Sequence, residues 1–302
     1  MRNIVLSFDI EEHHRIEAAH ARNFTAELKA DYVARMERVT YGLLEQLAKA
    51  ETKATFYVVG RIAESHPKLV RAMAAAGHEV GSHSHEHERI HRLNPASFRD
   101  DLKRSRDALE AAAGVPVVGF RAPTFSIVRE TAWAVDVLAD LGFRYDSSIF
   151  PVRHDRYGVP DAPRVPFVVR GQERELIELP PTTYRIGGIN LPVAGGGYFR
   201  LFPLSFMKAG IDQLTRQGSQ SAMLYFHPWE FDPTQPKLPL KRLSKFRTYV
   251  GIGKSTARLD RLLAGYCGRF TRAIDVVQTL EAKRAELPRF RLVAESRPAE
   301  VA

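Results

Sequence analysis

The chain predicts an α/β fold in which βα units surround a parallel sheet or barrel. Three observations carry this. Short apolar runs alternate with segments of roughly 12 to 16 residues whose apolar positions recur every three or four. Gly or Pro punctuates the junctions between them. Acidic or histidine-rich clusters follow the apolar runs, at the strand ends where parallel sheets and barrels build their sites.

Taken in order, residues 3–9 read as a strand apolar enough to be buried on both faces, followed over 13–30 by a polar loop or short helix hanging over its carboxyl end. Asp31 is the expected N-cap of a helix carrying Val33, Met36, Val39, Leu43 and Leu47 on one face. Residues 53–59 form the second strand, and His66-Pro67 opens a helix that stops at Gly77. Val80-Gly81 is a short strand before a histidine-rich stretch. Asn94-Pro95 opens a helix through Phe98, Leu102 and Leu109 that ends before Gly114. Residues 117–120 are a strand leading into Arg121-Ala122-Pro123, and Arg129–Leu141 a helix closed by Gly142. A strand over 143–145 then ends at Asp146-Ser147-Ser148.

The rhythm breaks over 151–200, which holds many of the prolines and the run Gly195-Gly196-Gly197. It reads as an excursion forming one wall of a site, with strand-like pieces at 165–169 and 176–179. A helix over 203–217 returns to the last expected strand, 222–226, which delivers His227-Pro228-Trp229-Glu230. The expected division is a domain over 1–232 and an extension over 233–302 packed on or beside it. That extension has a basic segment at 237–247, helices near 255–263 and 271–287, and a polar tail.

A length of 302 residues allows a sizeable core, and the composition, 44% hydrophobic and 26% charged, is ordinary for a globular protein. The net charge of +9 permits an acidic glycan or a membrane surface as neighbour, but no basic run interleaved with aromatics points to nucleic acid. One cysteine, Cys267, allows no intrachain disulfide. No stretch is long and apolar enough for a signal core or a bilayer span, so the sequence-based expectation is a cytoplasmic protein that is not transmembrane.

Five of the eleven histidines fall within residues 77–91. His83 and His87 are four apart, so one helical turn would set both on one face, ready to share an ion. A hydrolytic metal site takes two or three protein ligands and leaves a position for water. The third ligand is expected from Asp9-Ile10-Glu11-Glu12, where Glu11 would share the face of Asp9 if the strand continued and Glu12 is the alternative. His13 and His14 lie beside these acids and are candidates to touch substrate.

Four segments stand at expected strand ends: Ser7-Phe8-Asp9, His83-Ser84-His85-Glu86-His87, Phe120-Arg121-Ala122-Pro123 and Tyr225-Phe226-His227-Pro228. Together, over about residues 3–230, they resemble the NodB-type polysaccharide deacetylases, carbohydrate esterase family 4. Tyr145–Pro151 and His227–Asp232 look like the branch found with exopolysaccharide and exosortase (PEP-CTERM) gene clusters, which carries a C-terminal extension. The resemblance implies a distorted (β/α) barrel with a C-terminal helical extension and one divalent metal, most often zinc, with cobalt or nickel as alternatives. It implies Glu11, His83 and His87 as metal ligands, Asp9 as general base, His227 as general acid and Arg121 as the partner that orients Asp9. Pro123, Phe125, Asp146 and Trp229 are implied at the substrate, with a backbone amide around Phe125 aimed at the oxyanion and Trp229 or Tyr198 against a sugar ring. One departure stands out, since Ile10 occupies a position where most relatives place a ligating aspartate.

The expected function is removal of acetyl groups from N-acetylhexosamine units of an exopolysaccharide or its precursor, with an N-acetylated glycan as partner and docking to polysaccharide-synthesis machinery. Two competitors are a hydrolase of a small amide of the allantoin or cyclic-imide type and a glycan-binding assembly protein without turnover.

Overall fold

A computed structural model describes residues 3–19 and 22–292 of the chain. Of the polar tail expected after residue 287, residues 293–302 lie outside the described residues. The strands, in chain order, are β1 (Asn3–Ile10), β2 (Thr55–Val58), β3 (Glu79–Ser82), β4 (Gly119–Phe120), β5 (Tyr145–Asp146), β6 (Phe167–Arg170), β7 (Glu175–Glu178), β8 (Thr183–Ile186), β9 (Ile189–Pro192), β10 (Ser221–Phe226), β11 (Phe270–Thr271) and β12 (Arg289–Arg291).

All but β8 and β9 form one sheet in the order β10-β1-β2-β3-β4-β5-β7-β6-β12, with β11 also on β1. Every pairing in it is parallel except β6 with β7. The first five strands stand beside one another in chain order, each reached by a helical crossover, as right-handed βα units dictate. The two outermost strands do not pair, so the sheet curls as a half-barrel rather than closing. β1, with β10 on one side and β2 on the other, is buried from Ile4 to Ile10, which its near-continuous apolar sequence requires.

Helix ends follow their capping chemistry. Asn94 and Ser97 form a reciprocal capping box ahead of the helix Pro95–Ala113, and Gly114 closes it in a left-handed conformation. The first long helix runs Ala26–Lys49, and its cap is the Thr25 hydroxyl, which accepts from the Leu28 amide; Asp31, expected there, lies inside the helix and pairs with Arg35. Its apolar stripe, including Met36, Leu43 and Leu47, is buried in the main core.

The carboxyl-terminal part departs most from expectation. β10 is not the last strand. β11 takes the amino-terminal end of the β1 edge that β2 leaves free, and β12 extends the far edge beyond β6. Residues beyond 232 therefore contribute to the sheet itself as well as helices beside it. Among the described residues no helix is long and apolar enough to cross a membrane.

Candidate metal centre and active-site cleft

The carboxyl ends of β1, β3, β4 and β10 open into one cleft of about 670 Å³, of the size that takes small ligands. Asp9, Glu11, His83, His87, Phe125, His227 and Trp229 all line it.

Glu11, His83 and His87 each offer one ligand atom, and the three atoms lie within 4.8 Å of one another. The two histidines do not come together by a helical turn. Residues 83–89 are loop, with Ser84 and His87 at φ +67° and +60°. Asp101, from the helix Pro95–Ala113, accepts from the amides of His85 (2.7 Å) and Glu86 (3.0 Å), and the Ser84 hydroxyl accepts from the His87 amide at 3.2 Å. A helix would need those amides for its own ladder, so the turn is set by Asp101 instead. The loop also crosses Gly60 so closely that a Cβ there would lie 2.4 Å from His85 Nδ1.

Each donor is held ready. His83 Nδ1 donates to the Arg121 carbonyl at 2.7 Å, which fixes the tautomer and leaves the Nε2 lone pair unprotonated. Burial lowers the His83 pKa to about 4, against the pull of Asp9, so the ring is neutral. Glu11 Oε2 faces His87 Nε2, and Oε1 accepts from the Trp229 indole at 3.3 Å. Burial alone would raise the Glu11 carboxyl, but His87, His227 and His83 together hold it far below the usual range. Two imidazoles and one carboxylate in this arrangement fit a divalent cation of the zinc type. Glu12 turns away to Arg15, so the structure brings Glu11 and not Glu12 to the histidines.

Beside this cluster Asp9 Oδ1 accepts from Arg121 Nη1 at 2.7 Å. Arg121 is fully buried. Its other donors reach the Ser7 hydroxyl (2.8 Å), the Ser147 carbonyl (3.1 Å) and the Ser147 hydroxyl (2.9 Å), and its plane lies 4.2 Å from the Tyr57 ring centroid. A guanidinium so constrained fixes the direction of the Asp9 carboxylate.

At the end of β10, the strand beside β1, His227 Nε2 lies 3.8 Å from both Asp9 Oδ2 and Glu11 Oε1. Its Nδ1 is bonded to Glu230 Oε1 at 2.8 Å, and Glu230 Oε2 accepts from Arg200 Nε at 2.8 Å. Arg200 in turn donates to the carbonyls of Thr248 and Val250 at 2.6 and 2.9 Å. Burial would lower the His227 pKa; the Glu230 bond and the charges of Glu11 and Asp9 overcome this and raise it to about 9. Glu230 and Arg200 were not singled out as site residues from sequence. Glu230 has a signal, since it stands three residues after His227 in the last motif; Arg200, in an irregular glycine-rich segment, has none. That segment is shaped by close approach, because a Cβ on Gly195 would sit 1.7 Å from the Tyr225 carbonyl oxygen.

The structure corrects some of the expected substrate contacts. Asp146 is fully buried and does not line the cleft; its carboxylate accepts from the Ser148 hydroxyl and lies against Glu178. Pro123 is buried too, and its neighbours Ala122, Thr124 and Phe125 form the cleft surface. The Phe125 amide donates to the Ala122 carbonyl at 3.0 Å, so it is not the free donor expected for an oxyanion, while its ring packs on Tyr225, Phe150 and Tyr157. Thr124 and Phe125 both have positive φ, a strained pair at the cleft floor. Trp229 does line the cleft, with its ring packed on His227 and His13 and its N–H donating to Glu11. His13 lies outside the lining and bonds to the Tyr249 hydroxyl at 2.9 Å.

Comparison with known proteins agrees with this geometry. Residues 23–145 match the polysaccharide deacetylase family, and residues 147–278 match a domain of unknown function, DUF3473. A chitooligosaccharide deacetylase of Bradyrhizobium sp. is 31% identical over 100 residues, 33% of this chain and 43% of that protein. The first curated relatives are matched over only 34 to 43% of their own length. In fold, the chain is similar to a "probable Polysaccharide deacetylase from Pseudomonas aeruginosa PAO1" (16% identity, 93% of this chain and 91% of that one, TM-score 0.64). It is also similar to the Puue allantoinase (16% identity, 92% and 90%, TM-score 0.62). The polysaccharide deacetylase match thus spans the stretch that carries Glu79–His87 and Arg121, while the similarity to solved structures extends over the fold as a whole.

Proposed function

We propose that this protein is a metal-dependent N-deacetylase acting on N-acetylhexosamine units of an exopolysaccharide or its precursor. The observation that carries the reading is the convergence of Glu11, His83 and His87 with Asp9 and His227 in one cleft. Glu11, His83 and His87 would hold a divalent cation, zinc on the donor set with cobalt or nickel as alternatives, which would supply a water of lowered pKa and polarise an amide carbonyl. Asp9, directed by Arg121, takes up a proton as general base. His227 Nε2 faces the cleft as general acid, its other nitrogen fixed on Glu230, and gives its proton to the departing amine. Within the family, Tyr145–Pro151 and His227–Asp232 favour the exopolysaccharide and exosortase-associated branch, with residues 233–302 as its extension. Zinc dependence, the exopolysaccharide role and docking to synthesis machinery are part of this proposal.

Metal analysis and acetate release test it together. We expect about one equivalent of transition metal, lost in Glu11→Ala and His83→Ala but kept in Glu12→Ala, and acetate freed from N-acetylated oligosaccharides. A metal-loaded protein that frees no acetate from any N-acetylated glycan would refute the reading, and turnover of a small cyclic amide would favour the allantoinase-type alternative. Tight glycan binding without acetate release would instead favour the assembly protein.

A further inference from the structure

Among the described residues eight large hydrophobic side chains are exposed, and six of them gather in one region: Ile186, Ile189, Leu201, Phe206, Leu243 and Phe246. The hairpin β8–β9 packs on the helix Leu204–Arg216, and the helix Gly196–Leu201 packs on the helix Arg242–Tyr249. A ladder of rings joins them, from Tyr184 to Phe206 (6.5 Å), Phe206 to Phe202 (5.4 Å) and Phe202 to Tyr198 (5.9 Å). Tyr198, Leu201 and Phe246 also line the mouth of the cleft, so the patch and the cleft rim are continuous.

The charge on these same segments is one-sided. Residues 179–211 and 233–259 contain no Asp or Glu. The second stretch alone carries seven Lys and Arg in a chain whose net charge is +9. Lys241, Arg242, Lys245 and Arg247 are exposed, and none forms an ion pair among the described residues. A folded protein partner would have to meet these cations with an acidic rim around an apolar centre of its own. Exposed Leu, Ile and Phe set among unpaired cations instead match the interface of an anionic bilayer, where apolar side chains enter the headgroup layer and each cation meets negative lipid.

We infer that this face docks on an anionic membrane surface, with Leu243, Phe246 and the β8–β9 tip inserted and Lys241, Arg242, Lys245 and Arg247 on the headgroups. The contact is peripheral. It brings the cleft mouth to the bilayer, from which a lipid-linked form of the proposed glycan is reached; that last step rests on the deacetylase reading, whereas docking itself does not.

The test is co-sedimentation of the full chain with vesicles of phosphatidylcholine alone or with about one third phosphatidylglycerol. Binding is expected only to the anionic vesicles, weakening as salt is raised. Arg242→Gln with Lys245→Gln should lower the partition coefficient by about 25-fold, near fivefold per cation. Leu243→Ser with Phe246→Ser should abolish binding with charge unchanged. Lys68→Gln with Arg71→Gln, exposed on a helix that does not pack against the patch, alters net charge equally and should move binding less than about twofold, as expected if the site is local. Thermal unfolding of each variant confirms that the fold is kept. Absence of binding to anionic vesicles, equal binding to both compositions, or wild-type binding by the patch variants overturns the inference, as does self-association through the patch in place of vesicle binding. None of these readings involves metal or acetate, so the inference and the proposed activity can fail separately.

Discussion

The two walls of the cleft solve the same problem with parts of different origin. On one wall Arg121 grips Asp9 at 2.7 Å; on the other Arg200 grips Glu230 at 2.8 Å, and Glu230 holds His227. Both arginines are buried and both pairs fix the orientation of a reacting group. The first pair joins two strand ends of the βα region, β4 and β1. The second draws on the helix Gly196–Leu201, the turn after β10 and the carbonyls of Thr248 and Val250. The regular sheet thus places the base, the metal donors and, through β10, His227 itself, and the irregular segment supplies the arginine that fixes the acid's partner.

The largest effect is expected on the first wall. His83→Ala removes a donor atom, and the bond to Arg121 with it, so bound metal should be lost and kcat/KM for acetate release should drop by about a thousandfold or more. Metal retained at wild-type level in this variant, read by elemental analysis, would dissolve the contrast between the walls.

Next in size is stability. Arg121→Met leaves the Asp9 carboxylate buried without its cation, and a cost of about 3–5 kcal/mol is expected in denaturant unfolding. Arg200→Met should cost a similar amount through Glu230. If only Arg121→Met is destabilising, the second pair is looser than its geometry indicates, and the two walls are not equivalent.

Glu230→Gln separates the acid wall from the base wall. Its effect on kcat/KM should be about 10- to 100-fold, as for a partner that orients a functional imidazole. The sign of the pH effect follows from the cause of the shift. Glu230 raises the His227 pKa, so without it the proton is lost at lower pH and the alkaline limb of the rate profile moves down. Metal content should stay as in the wild type. An unmoved limb would mean that His227 is not the group titrating there.

Much of this was legible in the chain. The βα order, the cleft histidines and Arg121 each follow a local pattern, an apolar run ending in a chemical group, which periodicity exposes. The rest depends on distance. β11 has two residues and finds its partner some 266 positions away on β1, so no period marks it. The turn holding His83 and His87 depends on Asp101, and Arg200 becomes meaningful only once Thr248 and Val250 are folded beside it. Asp146 shows the reverse error: its motif points to substrate, whereas its register opposite Glu178 on β7 buries it against that carboxyl.

That carboxyl pair sits on the seam between the two regions and gives the smallest expected effect. Burial raises the Asp146 carboxyl to about 6 and Glu178 well above its usual range, with the Asp146 charge adding to the second shift. The folded pair therefore binds protons more tightly than the unfolded chain, and stability from this source is full at low pH and is lost as pH rises through about 6. Glu178→Gln puts an amide donor against Asp146 and removes the proton that must be held. The wild type should lose on the order of 1 kcal/mol relative to this variant between pH 5 and 8, roughly 2–4 °C in melting temperature. Parallel stability curves over that range would show that the seam carries no trapped proton, and that the two regions meet there by packing alone.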